Sequence, residues 1–274
     1  MKMDDIDRTF LARLIASRLR EVQERAAAEF ATGPGVASFV VDDLLPEAVA
    51  RKVFEAFPPS GRMRFRNSIK ERKYIAVQMN EYDPLLEEAV YAFQAPEVVQ
   101  AIKEITGIAT LEPDEFLYAG GVSAMPKGAY LKPHLDNSHD AEQQRYRALN
   151  LLFYVTPDWQ KEFGGNFELW DDGPKKKPRT IVSQFNRLVV MLTNDTSWHG
   201  VSEVTADKTR CCVSNYYFST VPVDGKEFFH ATSFRGRPGE RLKDLVMAAD
   251  NALRTMVLKV TGTKLFKNPH FYRK

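Results

Sequence analysis

The chain has 274 residues, 44% of them hydrophobic and 27% charged, a composition typical of a globular protein with a sizeable buried core. Its 38 lysines and arginines nearly balance 36 acidic residues, so the net charge of +2 offers no general electrostatic case for a nucleic-acid partner. The two cysteines, Cys211 and Cys212, are adjacent, which excludes a disulfide framework and fits a reducing cytoplasm. Charges recur throughout the N-terminal stretch, unlike a signal peptide or a membrane span, so we expect a cytoplasmic protein with no membrane partner.

The first 115 residues are predicted to be mainly helical. Apolar residues at helical spacing from Phe10 to Val22 predict a long amphipathic helix, for which packing on the domain's own flank is favoured over a role in dimerisation. A short strand from Ala37 to Val41 is expected next, followed by a helix that is entered at Asp43, has Pro46 in its first turn and runs to about Phe57. Two further helical patterns run from Pro84 to Phe93 and from Pro96 to Ile105.

A different pattern of short apolar runs, separated by turn residues, begins at Phe116. The predicted strands are Ala148 to Val155, Asn166 to Trp170, Thr180 to Phe185, Arg187 to Thr193 and Arg210 to Thr220. Such spacing favours a sandwich, jelly roll or barrel over a parallel α/β sheet. Helical spacing returns from Leu242 to Val260. We expect one domain over residues 1–274, with helical support in 1–115, a β core carrying the active site in 116–220, and a lid segment and C-terminal helix in 221–274.

Three residues are candidate ligands of a metal ion. His134 and Asp136 are two apart, and in an extended segment their side chains point to the same side. His199 follows a strongly apolar run, so it is expected at a strand end where it can complete the set. Two histidines and one carboxylate on one face of an octahedron leave three positions open, as a non-haem Fe(II) centre requires. The pattern alone is common, and the alternative is a surface histidine beside a solvated aspartate.

Arg210 supplies independent support for this site. It opens an apolar strand eleven positions after His199, which predicts a permanent cation inside the β core. A buried arginine requires an anionic partner, because leaving it unpaired costs several kcal/mol. A cosubstrate with a carboxylate at one end and a chelating group at the other would satisfy both Arg210 and the metal.

These residues carry a family resemblance. The stretch from Phe116 to Thr220 resembles the Fe(II)- and 2-oxoglutarate-dependent dioxygenases, specifically their prolyl-4-hydroxylase-like branch, in the His134-x-Asp136 pair, the distal His199 and the basic Arg210. The segment from Leu149 to Trp159 and the following Gly164-Gly165 pair also match the family, although they contain no metal ligand. The implied fold is a double-stranded β-helix, a jelly roll of the cupin kind, buttressed by N-terminal and C-terminal helices.

The resemblance also implies roles for individual residues. Iron would be held by His134, Asp136 and His199. Arg210 would bind the distal carboxylate of 2-oxoglutarate, with Tyr154 and Asn150 beside it as neutral hydrogen-bond donors. Several relatives carry a serine or threonine two residues after the arginine, where this chain has Cys212, so Ser214 is the candidate for that contact.

The implied reaction consumes O2 and 2-oxoglutarate, releases succinate and CO2, and hydroxylates an unactivated C–H bond; ascorbate is a candidate reductant. Retention of the Asp136 carboxylate favours hydroxylation over halogenation, whereas desaturation or ring formation would use the same ligands. A small polar metabolite, such as an amino acid, a sugar or a biosynthetic intermediate, is the favoured substrate. The alternatives are a prolyl or other residue of a protein, and a non-catalytic β-barrel binding protein.

Several polar residues remain outside this assignment. His139 is expected to be a solvated loop residue, and His230 and His270 to be structural or exposed. The basic run from Lys175 to Arg179 is predicted to form a solvated turn. Arg235 and Arg237 lie in a glycine-containing segment for which a substrate lid and an ordinary connector are equally good interpretations.

Overall fold

The computed structural model describes residues 6–118, 120–261 and 272. The helices are α1 (Arg8–Glu21), α2 (Gln23–Thr32), α3 (Glu47–Glu55), α4 (Pro84–Ala92), α5 (Pro96–Thr106) and α6 (Arg241–Thr261). The strands are β1 (Ser38–Val41), β2 (Arg64–Asn67), β3 (Glu71–Ala76), β4 (Leu111–Pro113), β5 (Gly121–Met125), β6 (Tyr130–Leu135), β7 (Tyr146–Tyr154), β8 (Phe167–Leu169), β9 (Arg179–Ile181), β10 (Arg187–Leu192), β11 (His199–Val201), β12 (Arg210–Ser219) and β13 (Ser233–Phe234).

Local chemistry sets the helix ends. Asp7 caps α1 by accepting a hydrogen bond from the backbone N–H of Phe10, and Asp83 caps α4 in the same way ahead of Pro84. Gly107 ends α5 with a φ of 72°, a left-handed conformation that glycine adopts without steric cost. The predicted long N-terminal helix is interrupted at Val22, so it forms the two helices α1 and α2.

The described strands form one antiparallel sheet in the order β1-β10-β7-β12-β5-β3-β6-β11-β8-β9. Consecutive strands of the core lie far apart in this order, so the sheet curls and its two halves face each other across a cavity. This arrangement confirms the predicted double-stranded β-helix with flanking helices. Strand β13 pairs with β6, placing Phe234 opposite His134.

A hairpin formed by β2 and β3 departs from the expectation of a helical first third. Arg66 and Lys73 face each other across it, and Phe65 stacks on Tyr74 with ring centroids 4.6 Å apart. Strand β3 pairs with both β5 and β6, so it bridges the two halves of the curled sheet. The hairpin therefore belongs to the wall of the cavity.

Alternation along the central strands sorts side chains between core and cavity. On β7, Leu151 and Phe153 join the hydrophobic cluster that contains the helices, whereas Asn150 and Tyr154 line the cavity. The same period of two on β12 turns Arg210, Cys212, Ser214 and Tyr216 toward the cavity. The sheet thus holds a polar set of side chains opposite its apolar face.

The two terminal helices use their apolar faces differently. In α1, Leu11, Ile15 and Leu19 are at most 1% exposed and pack in the main core, which confirms the interpretation that this stripe buttresses its own domain. In α6, Leu242 and Leu245 are 82% and 68% exposed, although the sequence predicts an apolar face there. No helix within the described ranges combines the length and the apolar character needed to cross a bilayer.

Candidate metal centre

His134, Asp136 and His199 meet in the cavity. Strand β6 ends just before Asp136, and β11 begins at His199, which pairs directly with His134 across the sheet. One potential ligand atom from each residue lies within 4.8 Å of the other two. His134 Nε2 is 3.5 Å from Asp136 Oδ1, and His199 Nε2 is 3.6 Å from Asp136 Oδ2. The predicted trio is therefore brought together in a geometry that one ion can bridge.

Both imidazoles are prepared to act as neutral ligands. His134 Nδ1 is 3.0 Å from the carbonyl oxygen of Lys132, and His199 Nδ1 is 2.9 Å from that of Ser197. A carbonyl only accepts, so each Nδ1 carries the proton and each Nε2 presents its lone pair to the centre. Burial, reinforced by the neighbouring His134, lowers the pKa of His199 to about 4. The ring is consequently uncharged at neutral pH, as a metal ligand must be.

Arg147 is the residue at this centre that the sequence analysis missed. It is 2% exposed, and its Nη1 lies 3.4 Å from Asp136 Oδ2, while Asn137 Oδ1 accepts a hydrogen bond from Nη2 at 3.0 Å. Its guanidinium also stacks over the ring of Tyr216 at 4.3 Å. Burial disfavours the Asp136 carboxylate, but Arg147 together with His134 and His199 outweighs burial and holds the pKa of Asp136 well below its usual value.

Arg210 lies buried at another part of the same cavity. It is 4% exposed, its Nη2 is 3.0 Å from Met125 Sδ, and its guanidinium lies 5.1 Å from the ring centre of Tyr154. Within residues 6–118, 120–261 and 272, Arg210 forms no ion pair with a carboxylate. Arg210 Nε and the Tyr154 hydroxyl are buried with no hydrogen-bond partner in these ranges. Two unsatisfied donors at one place fit the distal carboxylate of 2-oxoglutarate.

The glycine pair predicted as part of the family pattern makes room beside Arg210. Gly165 has a φ of 61°, and a Cβ at this position would lie 3.4 Å from Arg210 Cδ and 2.8 Å from a methyl of Val204. A residue with a side chain would be strained at this φ and would have to displace Val204, while its Cβ would only touch the stem of the arginine. Gly165 therefore lets the backbone pass close to Val204 beside Arg210.

Asn150 and Ser214 were expected to contact 2-oxoglutarate near Arg210. Both line the cavity, as does Cys212. Asn150 Nδ2 donates to Asp136 Oδ2 at 2.8 Å, a contact with the metal trio that the sequence did not predict. Ser214 Oγ lies 3.8 Å from Cys212 Sγ, on the cavity face of β12. Contacts of these side chains with 2-oxoglutarate remain predictions.

His139 is less exposed than expected. His139 is 9% exposed, with its Nδ1 2.7 Å from Ser138 Oγ and its ring against Tyr146, which corrects the expectation of a solvated loop residue. His230 also lines the cavity, and burial lowers its pKa. His270 lies outside the described residues.

Arg235 and Arg237 form ion pairs that hold the segment beginning with β13 in place. Arg235 Nε lies 2.6 Å from Asp244, and Arg237 Nη1 lies 2.6 Å from Glu168. Neither arginine lines the cavity, which has a volume of about 830 Å³. Phe234 of this segment stacks on the His134 ring at 5.0 Å, so the segment covers one side of the metal trio.

Glu71 ties the β2–β3 hairpin to this cavity. It pairs with Arg66 at 2.9 Å and with Lys73 at 3.2 Å. Burial disfavours its charge, but Lys73 and Arg66 outweigh burial and lower the pKa of Glu71 to about 2, from 4.5. A depressed carboxyl pKa stabilises the fold above the unfolded-state value, and this contribution is lost as the pH falls from about 4.5 to 2.

Replacing Glu71 by glutamine is therefore expected to lower the free energy of unfolding by up to about 3 kcal/mol at pH 7. Urea unfolding of the wild type and E71Q at pH 7 and at pH 3 measures the effect. The difference should shrink at pH 3, and a difference that does not change with pH would contradict the assigned ion pairs.

Comparison with known proteins agrees with this geometry. Residues 120–218 match the model of the 2OG-Fe(II) oxygenase superfamily, a range that contains the metal trio, Tyr154 and Arg210. Over this range the chain is similar to the 2OG-Fe(II) oxygenase superfamily. Fe(II) and 2-oxoglutarate, which give the family its name, fit the histidine–carboxylate trio and the unsatisfied donors around Arg210.

Individual relatives add detail about the branch. Mouse prolyl 3-hydroxylase OGFOD1 is 29% identical over 85 residues, which cover 29% of this chain and 15% of that protein. The chain thus matches only about one seventh of the length of this curated relative. A Pseudomonas putida prolyl-4-hydroxylase structure has a TM-score of 0.50 at 16% identity, covering 75% of this chain and 98% of that one. A Trichoplax adhaerens prolyl hydroxylase bound to a peptide of hypoxia inducible factor has a TM-score of 0.52 at 15% identity, with 74% and 91% covered. The oxygenase fold is therefore shared with prolyl hydroxylases.

Proposed function

We propose that the chain is an Fe(II)- and 2-oxoglutarate-dependent dioxygenase that hydroxylates an unactivated C–H bond of a small polar metabolite. The observation that carries the proposal is the pairing, in one cavity, of a His–Asp–His trio with a buried arginine that has no carboxylate partner among the described residues. A chelating cosubstrate with a distal carboxylate satisfies both features at once. When bound, iron and 2-oxoglutarate supply the oxidising chemistry, with succinate and CO2 as co-products.

The protein's own residues hold and orient these groups. His134, Asp136 and His199 would occupy one face of the iron and leave the opposite face open. Arg210 and the Tyr154 hydroxyl would bind the distal carboxylate of 2-oxoglutarate. Apolar side chains that line the cavity, including Met125 and Leu152, limit the access of water to the reacting groups.

The covered cavity supports a small substrate. Phe234 stacks on His134, and Ser138 Oγ accepts a hydrogen bond from the backbone N–H of His230 at 3.0 Å, so the 228–234 segment is fixed over the trio. A site walled by this segment on one side and by the β2–β3 hairpin on another suits a compact molecule better than an extended chain.

Hydroxylation of a prolyl residue in a protein is the second candidate. It is supported by the likeness to a prolyl 3-hydroxylase and by the shared fold with prolyl hydroxylases. A panel of free amino acids, sugars and proline-containing peptides separates the two candidates through the stimulation of succinate formation. Stimulation by peptides alone would favour the protein substrate.

Replacing His134 by alanine should reduce succinate formation from 2-oxoglutarate to background, because two ligands are too few to hold the iron in place. The assay compares wild type and H134A with Fe(II), O2 and 2-oxoglutarate, with and without the substrate panel. A rise in melting temperature on adding Mn(II), present in the wild type and absent in H134A, reports metal binding separately. Equal succinate release from both proteins would contradict the proposed enzymatic activity and favour a non-catalytic binding protein.

A further inference from the structure

Positive charge is concentrated at the outer part of the cavity. Five cations contributed by the β2–β3 hairpin and by α6 line it, and we call them the basic rim: Arg64, Arg66, Lys70, Lys73 and Arg254. The whole chain carries a net charge of only +2, so this concentration is local and does not reflect the composition.

Two carboxylates are shared among these cations. Glu71 binds Arg66 and Lys73, and Asp250 binds Lys70 at 2.5 Å and Arg254 at 2.8 Å. Arg64 is exposed and forms no ion pair with any residue that the structure describes. The rim therefore presents at least one cation, Arg64, that has no carboxylate partner among the described residues.

The hairpin places like charges side by side at the cavity. Arg66 and Lys73 are direct cross-strand partners, an arrangement that destabilises a sheet unless an anion bridges the pair, as Glu71 does here. Arg64, opposite Ile75, lies on the same face because it is two residues from Arg66. The aromatic pair Phe65 and Tyr74 occupies the other face. Arg64, Arg66 and Lys73 thus face the cavity, whereas Arg72 lies on the other face of the hairpin.

The charges deeper in the cavity leave no anion for the rim. If the proposed function holds, Fe(II), Arg147 and Arg210 bring four positive charges, and Asp136 and the two carboxylates of 2-oxoglutarate bring three negative charges. The excess positive charge of the rim then has no partner in the loaded centre, although it lines the same cavity. A further anion is needed to satisfy it.

We propose that the basic rim binds an anionic group of the substrate, a carboxylate or a phosphate, while the carbon to be hydroxylated faces the metal trio. Arginine and lysine side chains together suit this task, since guanidinium groups bind oxyanions through paired N–H donors and ammonium groups add a point charge. The inference rests on the proposed function for the identity of the ligand as substrate. It narrows the proposed substrate class from small polar metabolites in general to those that carry an anionic group.

Binding to the loaded protein tests the rim without turnover. The protein is loaded with Zn(II), which has no redox chemistry, and with saturating 2-oxoglutarate. Glucose 6-phosphate and glucose, a matched pair with and without the anion, are then titrated calorimetrically at low salt. A second arm uses a glutamate-rich hexapeptide and its glutamine counterpart, so that a small acid and an acidic peptide are distinguished as the source of the anion.

The variants are matched in charge. R64Q/K73Q removes two rim cations, and K175Q/K176Q removes two exposed cations that do not line the cavity. Wild type and K175Q/K176Q should bind the anionic probe better than its neutral counterpart, and R64Q/K73Q should bind the anionic probe at least about tenfold more weakly. Added NaCl should weaken the binding in the wild type.

The outcomes separate the rim from the catalytic proposal. Equal binding of the anionic probes by all three proteins, or no preference over the neutral counterparts in the wild type, would overturn the inference. Tighter binding of the peptide than of the sugar phosphate would support the rim and assign it to acidic peptides. R64E, whose exposed side chain contributes little to packing, tests the same loss if R64Q/K73Q fails to fold. The binding experiment measures no turnover. A lack of succinate formation would therefore contradict the proposed dioxygenase activity without changing the result on anion binding by the rim.

Discussion

Replacing Asp136 by alanine is expected to abolish succinate formation and also to lower the free energy of unfolding by about 3–5 kcal/mol. Removal of a metal-ligand carboxylate often relieves repulsion in a metal-free protein. Here Asp136 is in ionic contact with the buried Arg147, at 3.4 Å, and accepts a hydrogen bond from Asn150. Its loss leaves a guanidinium that is 2% exposed without its carboxylate. Chemical unfolding of the metal-free protein measures the effect.

A double variant separates the two consequences. In D136A/R147M the uncompensated charge is replaced by an apolar side chain of similar length, so most of the lost stability should return while activity stays absent. The single variant R147M keeps all three ligands and should weaken metal binding by about 10–100-fold, the usual effect of removing a residue that orients a ligand. If D136A is as stable as the wild type, then Arg147 does not depend on Asp136 in the way the contact distances indicate.

Sequence periodicity predicted the elements whose faces are apolar. The helix from Pro96 carries a proline at its first turn and a glycine at its end, and β7 and β12 are apolar enough to be recognised within a few residues of their bounds. The metal trio was predictable for a different reason: few residue types bind Fe(II), and His134 and Asp136 are two apart in an extended segment.

The β2–β3 hairpin was not predictable from the same signals. Its strands, with the sequences RFRN and ERKYIA, place charged residues at the positions facing the cavity, so the apolar alternation of a half-buried strand is missing. The role of Arg147 at the metal centre was not predictable for a related reason. Its position at the start of β7 is visible in the sequence, but its contact with Asp136 depends on how the curled sheet brings distant segments together. The hydrogen bond from Asn150 to Asp136 likewise depends on tertiary geometry.

Replacing Arg210 by methionine should have the opposite effect on stability from the change at Asp136. Arg210 is 4% exposed and has no carboxylate partner among the described residues, so the free protein carries the cost of a desolvated charge. A methionine, packed beside Met125, should raise the free energy of unfolding of the metal-free protein by about 1–4 kcal/mol. The same change should weaken 2-oxoglutarate binding by about 2–5 kcal/mol, because a buried carboxylate then loses its cation.

The matched control is Y154F, which removes only the hydroxyl beside the guanidinium. It should weaken 2-oxoglutarate binding by about 0.5–1.5 kcal/mol and change the stability of the free protein little, since that hydroxyl has no partner to lose. Melting temperatures of wild type, R210M and Y154F, with and without 2-oxoglutarate and Mn(II), measure both quantities in one series. A less stable R210M would mean that Arg210 supports the fold. A more stable R210M that no longer responds to 2-oxoglutarate would mean that the chain retains a destabilising charge because the cosubstrate requires it.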